Sequence, residues 1–179
     1  MKKTLLTILC TVLACSCVMG VTLAFLMDKT ETITNTFTVG KVDIGLEETT
    51  GPNYKMIPGA SIKKDPKVTV YAGSEACWLF VKIEETNNTA GYITYTLDGW
   101  TAVDGEAGVY SKAVSASDND QEFSVFTGDK VTVSDVVTQT TAQVTIKVTA
   151  YAVQKTKNGT TDFTVAEAWE QAKTASVNP

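Results

Sequence analysis

The chain has 179 residues, with 15 basic and 20 acidic side chains, a formal charge of −5 and no histidine. Every basic residue is a lysine. Without imidazole there is no Ser-His or Cys-His nucleophile activation and no HExxH zinc site, and an acidic chain lacking guanidinium groups repels phosphate backbones, which argues against nucleic acid as a partner. A hydrophobic content of 44% supports a packed core. Heavy use of threonine and valine predicts an all-β fold.

Met1-Lys2-Lys3 is a cationic start, and no charged side chain follows until Asp28. Small residues at the end of such an apolar run define a secretory signal. Thr22 and Ala24 supply the −3 and −1 positions, so cleavage is expected between Ala24 and Phe25, giving a signal of residues 1–24. Two alternatives stay open. The uncharged run is long enough to remain as an uncleaved membrane anchor, and Cys15 stands where a lipoprotein would be acylated. Cleavage removes two lysines, leaving 13 against 20 acids, or −7. It also removes Cys10, Cys15 and Cys17, so the sole remaining cysteine, Cys77, has no intramolecular disulfide partner and is read as a small buried hydrophobe.

Residues 25–46 form the N-terminal extended segment, and residues 47–179 the expected sandwich domain. In the first stretch Ile33, Phe37 and Val39 fall on one face of a period-two pattern, with Thr30, Thr32, Thr34, Thr36 and Thr38 on the other. At Gly40 the phase flips to Val42, Ile44 and Leu46, as a bulge or tight link would require. Residues 49–66 read as loop-rich, with Gly51-Pro52-Asn53, Ile57-Pro58-Gly59 and Asp65-Pro66. Val68 and Val70 define a strand, and Cys77 to Ile83 defines another that is apolar on both faces and so central in its sheet. Tyr92–Leu97 is a strand closed by Asp98-Gly99, a pair suited to a two-residue hairpin. Further strands are expected at 108–114, 122–126, 130–134 and 143–153. Asn158-Gly159 signals a second hairpin. Thr164 and Glu167 form a capping box opening one short C-terminal helix that ends near Lys173, with Val165, Trp169 and Ala172 on its docking side. The whole describes an antiparallel, jelly-roll-like β-sandwich.

Candidate sites are few. Asp118, Asp120, Glu122 and Asp129 are weak candidates for a hard cation, although Phe123 stands where a calcium loop requires glycine; a solvated acidic turn is the plainer reading. Tyr54, Tyr92, Tyr95 and Trp100 offer an aromatic sugar-binding face, against core packing as the default. Glu47-Glu48 and Glu84-Glu85 read as solvated strand ends rather than acid/base pairs. The glycosylation-like triplets at Asn87 and Asn158 read as turns. No catalytic residue and no cofactor is called for.

The order of the motifs resembles a known family. Thr22-Leu-Ala-Phe-Leu-Met-Asp28, then Asn35-Thr-Phe-Thr-Val-Gly40 and Val42-Asp-Ile-Gly-Leu46 resemble the mature start of the TasA/camelysin family. Pro58-Gly59 with Lys64 and the Val68–Val70 strand is similar to that family's next loop and strand. The Ala72-Gly73-Ser74 turn, the Ala150–Gln154 strand and the Ala168-Trp169 helix also resemble family segments. The resemblance implies a secreted jelly roll cut by a SipW-type signal peptidase. It implies self-assembly into fibres of the cell surface or biofilm matrix, possible contact with other matrix components, and membrane attachment only through an uncut signal. Strand addition by the freed segment would bury Phe37 and Val39 at the sheet edge of another copy, with Ile33, Val42, Ile44 and Leu46 as further assembly residues. The competing arrangement folds residues 32–46 onto their own sheet as an ordinary first strand. Other function classes are a monomeric surface adhesin or carbohydrate-binding module, using Trp100 or Asp118–Glu122, and the metal-dependent endopeptidase implied by the camelysin branch, which the missing histidines disfavour.

Overall fold

Strand β4 (Cys77–Thr86) organises the molecule, because its two faces feed two different cores. The computed structural model describes residues 40–175. Before β4 come β1 (Ile44–Glu47), β2 (Ser61–Lys63) and β3 (Lys67–Val70). After it come β5 (Ile93–Thr94), β6 (Thr101–Ala102), β7 (Val109–Val114), β8 (Gln121–Ser124), β9 (Lys130–Val133) and β10 (Thr145–Gln154). A small ribbon, β11 (Thr156–Lys157) with β12 (Thr161–Asp162), leads into helix α1 (Val165–Ala175). Each strand pairing is antiparallel.

One layer has the order β10-β4-β7-β6. The other is built from β1-β3-β8 and β2-β9-β5, two three-stranded pieces joined end to end. Their junction is carried by hydrogen bonds from Val125 N to Pro66 O at 3.0 Å, Thr127 N to Thr96 O at 2.8 Å and Lys64 N to Asp129 O at 2.9 Å. The two pieces are therefore halves of one bent sheet, kinked where Pro66 lacks a donor and where the Thr127–Asp129 turn interrupts β8 and β9. The chain crosses between the layers after β3, β4, β5, β7 and β9, giving the expected all-β arrangement.

Between the layers, Cys77, Leu79, Val81 and Ile83 of β4 meet Val68, Val70, Val125, Phe126, Val131 and Val133. On the opposite face of β4, Phe80 is fully buried with Val103, Val109, Ala168, Trp169 and Ala172, so α1 seals that side. The capping box forms as its spacing predicts: Thr164 N donates to Glu167 Oε2 at 2.9 Å, and Glu167 N donates to Thr164 Oγ1 at 3.3 Å.

Residues 49–66 hold one short strand, Ser61–Lys63, which pairs with β9. Two expectations need correction. The expected Tyr92–Leu97 strand is regular only at Ile93–Thr94, with a lone bridge from Leu97 to Phe126. Asp98-Gly99 is a turn, with Gly99 at φ +67, but no two-residue hairpin: the strands flanking it pair with β9 and β7, in different layers. The cause is Trp100, which is 8% exposed and donates its indole N–H to Ser124 O at 2.8 Å, so the chain must cross the sandwich there. Asn158-Gly159 does join a hairpin, β11 to β12.

Candidate assembly site

Strand β10 lies at the edge of its layer, and among the described residues it pairs with β4 alone. Strand β1, at the edge of the other layer, packs beside it. On this flank several core side chains are only partly covered. Ile146, Val148, Ala150 and Ala152 of β10 are half-buried, as are Val42 and Ile44, and Leu46 is 38% exposed. By contrast Leu79 and Val81 on central β4 are 0% exposed. A ten-residue edge whose inward side chains remain half wetted is a template for another extended segment.

The outward face of β10 differs along its length. Tyr151 sits under α1, with its ring 5.3 Å from that of Trp169. Toward the other end Lys147 reaches Glu84 at 3.6 Å, while Lys82 reaches the same carboxylate at 2.9 Å. Lys82 first, then Lys147, holds the Glu84 carboxyl below its ordinary value.

At the N-terminal end of β10 the flank opens into a cleft of about 580 Å³. Its apolar wall is Met56, Ile62, Ile93, Val131, Val144 and Ile146, and its polar rim includes Asn53, Thr141, Gln143 and Thr145. Tyr54 and Lys64 stand at one side, with the Lys64 ammonium 2.8 Å from Glu48 and 5.4 Å from the Tyr54 ring centre. Tyr54 in turn donates to Glu48 at 3.0 Å. The loop that carries this side is pinned by Asp65. Its carboxylate accepts from Thr49 N at 3.1 Å, from the Thr49 hydroxyl at 2.5 Å and from the Thr50 hydroxyl at 2.9 Å, and pairs with Lys63 at 3.2 Å. The Thr49 hydroxyl above all, helped by Thr50 and Lys63, holds Asp65 well below the usual carboxylate range despite desolvation.

The structure sorts the candidates of the sequence. Of the assembly residues, Val42, Ile44 and Leu46 line the flank, and Ile44–Glu47 pairs with β3 of its own chain. Thr22, Ala24, Phe25, Ile33, Phe37 and Val39 lie outside the described residues, as does the residue before Gly40 on which the bulge depends. The cation candidates do not converge. Asp120 Oδ1 accepts from Ala72 N at 2.8 Å, Glu122 pairs with Lys67 at 3.4 Å, Asp118 is exposed in the preceding turn, and Asp129 lies in the turn before β9. No group of three or more metal-binding side chains exists among the described residues. The aromatic face also dissolves. Trp100 is buried, Tyr95 packs on Phe126 at 4.8 Å and bonds Glu85, Tyr92 packs on the core, and only Tyr54 is exposed, at the cleft. Cys77 is fully buried, and burial pushes its thiol up to about 11. The cleft itself went unforeseen, because Met56, Ile62, Ile93, Val131 and Val144 come together only through sheet pairing and carry no local motif.

Comparison with known proteins adds one match. A family model described as "Camelysin metallo-endopeptidase" matches residues 1–74. Within the described part, that match covers β1, β2, β3 and the loop forming one side of the cleft. No curated protein and no solved structure matches the chain. The metal in the family's description was tested against the donors present. The chain has no histidine, its buried Cys77 resists ionisation and the carboxylates are dispersed, so the described residues do not fit a zinc centre. Among these residues no helix is long and apolar enough to cross a membrane. By its first 74 residues, then, the chain is similar to the camelysin family, the family to which its N-terminal motifs pointed.

Proposed function

We propose that this chain is an exported structural protein of the cell surface or biofilm matrix, assembling by addition of its N-terminal segment to the flank of another copy. The observation that carries this is the half-wetted edge of β10, ten residues long and paired on one side only among the described residues. The chain holds a segment suited to it. Residues 25–39 follow the expected cut at Ala24 and alternate Ile33, Phe37 and Val39 with threonines. Fifteen extended residues span roughly 50 Å, more than the roughly 33 Å of β10, so the segment can cover the whole edge and still reach between copies. Addition satisfies a row of backbone groups and takes apolar area from water on both partners.

A signal peptidase of the SipW type would release that segment, and other matrix components are further partners of the same fibre. The chain acts without catalysis in this scheme, a reading that the missing histidine supports. Light scattering of a chain beginning at Phe25, measured against concentration, is the test. Growth of large species that disappears when residues 25–39 are deleted is expected. A solitary intact chain at high concentration overturns assembly, and casein cleavage abolished by a chelator overturns the non-enzymatic role.

A further inference from the structure

We infer that the cleft beside the start of β10 binds a single-chain amphiphile whose head is uncharged and carries hydroxyls. The inference stands apart from assembly. Ile62, Ile93 and Val131 reach the cleft from β2, β5 and β9, and Val144 and Ile146 reach it from the other layer. The cleft is therefore an unclosed part of the space between the layers. At about 580 Å³ it falls within the roughly 300–1,000 Å³ of small-ligand sites. With Met56, these side chains make a wall that offers no partner to a polar group, so the part of a ligand that enters must be hydrocarbon.

The rim selects the head. The exposed side chains of Asn53, Gln143 and Thr145 hydrogen-bond to no other described residue, and amides and hydroxyls pair with a ligand's hydroxyls without any charge. Among the described residues lining the cleft, Lys64 alone is charged, and both Glu48 oxygens hold its ammonium, at 2.8 and 3.0 Å. An anionic head would have to break that pair, on a chain of formal charge −5. The bounding loops supply an apolar approach. Ile57 and Val136, each 60% exposed, are the most exposed large apolar side chains among the described residues. Their loops are tied together, since Gly59 N donates to Val133 O at 3.1 Å and the Asp135 carboxylate lies against Gly59. Ile57 follows Met56 of the wall, and the loop of Val136 carries Thr141 and Gln143 of the rim.

Octyl glucoside below its micelle concentration is the probe, titrated into a chain beginning at Phe25 with labelled methionine methyls. That chain holds two methionines, Met27 and Met56. The Met56 signal should move saturably while the Met27 signal stays in place. Heptyl and hexyl glucosides should each bind about fourfold more weakly than the next longer homologue. Octanoate, with the same chain length and a charged head, should bind more weakly than octyl glucoside. Val144→Trp, which fills the cleft, should weaken binding about tenfold or more. Should that variant not fold, Gln143→Ala on the exposed rim should still weaken binding about threefold with an unchanged urea midpoint. A Met56 signal that never moves, or an affinity indifferent to chain length or to both substitutions, overturns the site. Tighter binding of octanoate overturns the uncharged head. Binding that appears only after residues 25–39 are deleted gives the cleft to the chain's own segment and overturns the amphiphile as its occupant.

Discussion

The Phe80 and Trp169 rings meet with centroids 5.3 Å apart and planes tilted by 50°, across the outer face of β4. Tyr151 meets the same indole edge-on, also at 5.3 Å, so α1 is bolted to both β4 and β10 by one side chain. Trp169 is 3% exposed, and its removal leaves a cavity that the flat sheet cannot collapse to fill. Trp169→Ala is expected to lose about 3–5 kcal/mol of stability in urea unfolding, with loss of near-ultraviolet dichroism preceding loss of strand signal.

The helix N-terminus adds an acid-sensitive contribution. Glu167 is held down to about 2 by Lys157 first, at 2.6 Å, and then by Thr164 N and its hydroxyl. A depressed carboxyl stabilises the fold above its ordinary value of 4.5, and the contribution is lost as pH falls through about 2. Unfolding measured between pH 5 and pH 2 should show a weaker loss of stability in Glu167→Gln than in the unmodified chain. Thr164→Ala, which removes the other half of the cap, should cost about 1 kcal/mol at neutral pH.

Asp65 shows why part of the site was hidden in the sequence. Asp65-Pro66 reads as loop punctuation, yet its carboxylate gathers Thr49, Thr50 and Lys63 and so fixes the segment leading to Tyr54. Nothing in local spacing foretells a contact across sixteen residues. The same holds for the cleft, whose wall is drawn from residues 56 to 146, and for β2, three residues long between Pro58-Gly59 and Asp65-Pro66. What was legible was strongly periodic or carried a motif: β4 with apolar residues on both faces, β10 with clean alternation, and α1 with its capping box. Asp98-Gly99 misled, since a turn dipeptide states that the chain bends and not which strand receives it.

Replacing Asp65 is therefore expected to loosen the cleft more than the core. In Asp65→Asn, hydrogen exchange of the Thr49 and Thr50 amides should speed up, with the β4 amides unchanged. Assembly of the chain beginning at Phe25 should weaken in parallel. Uniform acceleration over β4 as well would mean that Asp65 serves global stability instead.

Cys77 should be silent in the folded chain. Its thiol is fully buried and pushed up to about 11, so almost no thiolate exists near neutrality. A maleimide at pH 8 should leave a chain beginning at Phe25 unlabelled until denaturant is added, after which one label per chain appears by mass spectrometry. Rapid labelling of the native chain would contradict the packing described for β4.

The central claim is that a free N-terminal segment docks on the edge of β10. Its most direct test is hydrogen exchange on a chain of residues 40–179, with and without a peptide of residues 25–39. Protection of the amides of 145–154 by the peptide, with β7 unaffected, is the predicted result. Unchanged exchange across β10 at saturating peptide would contradict it.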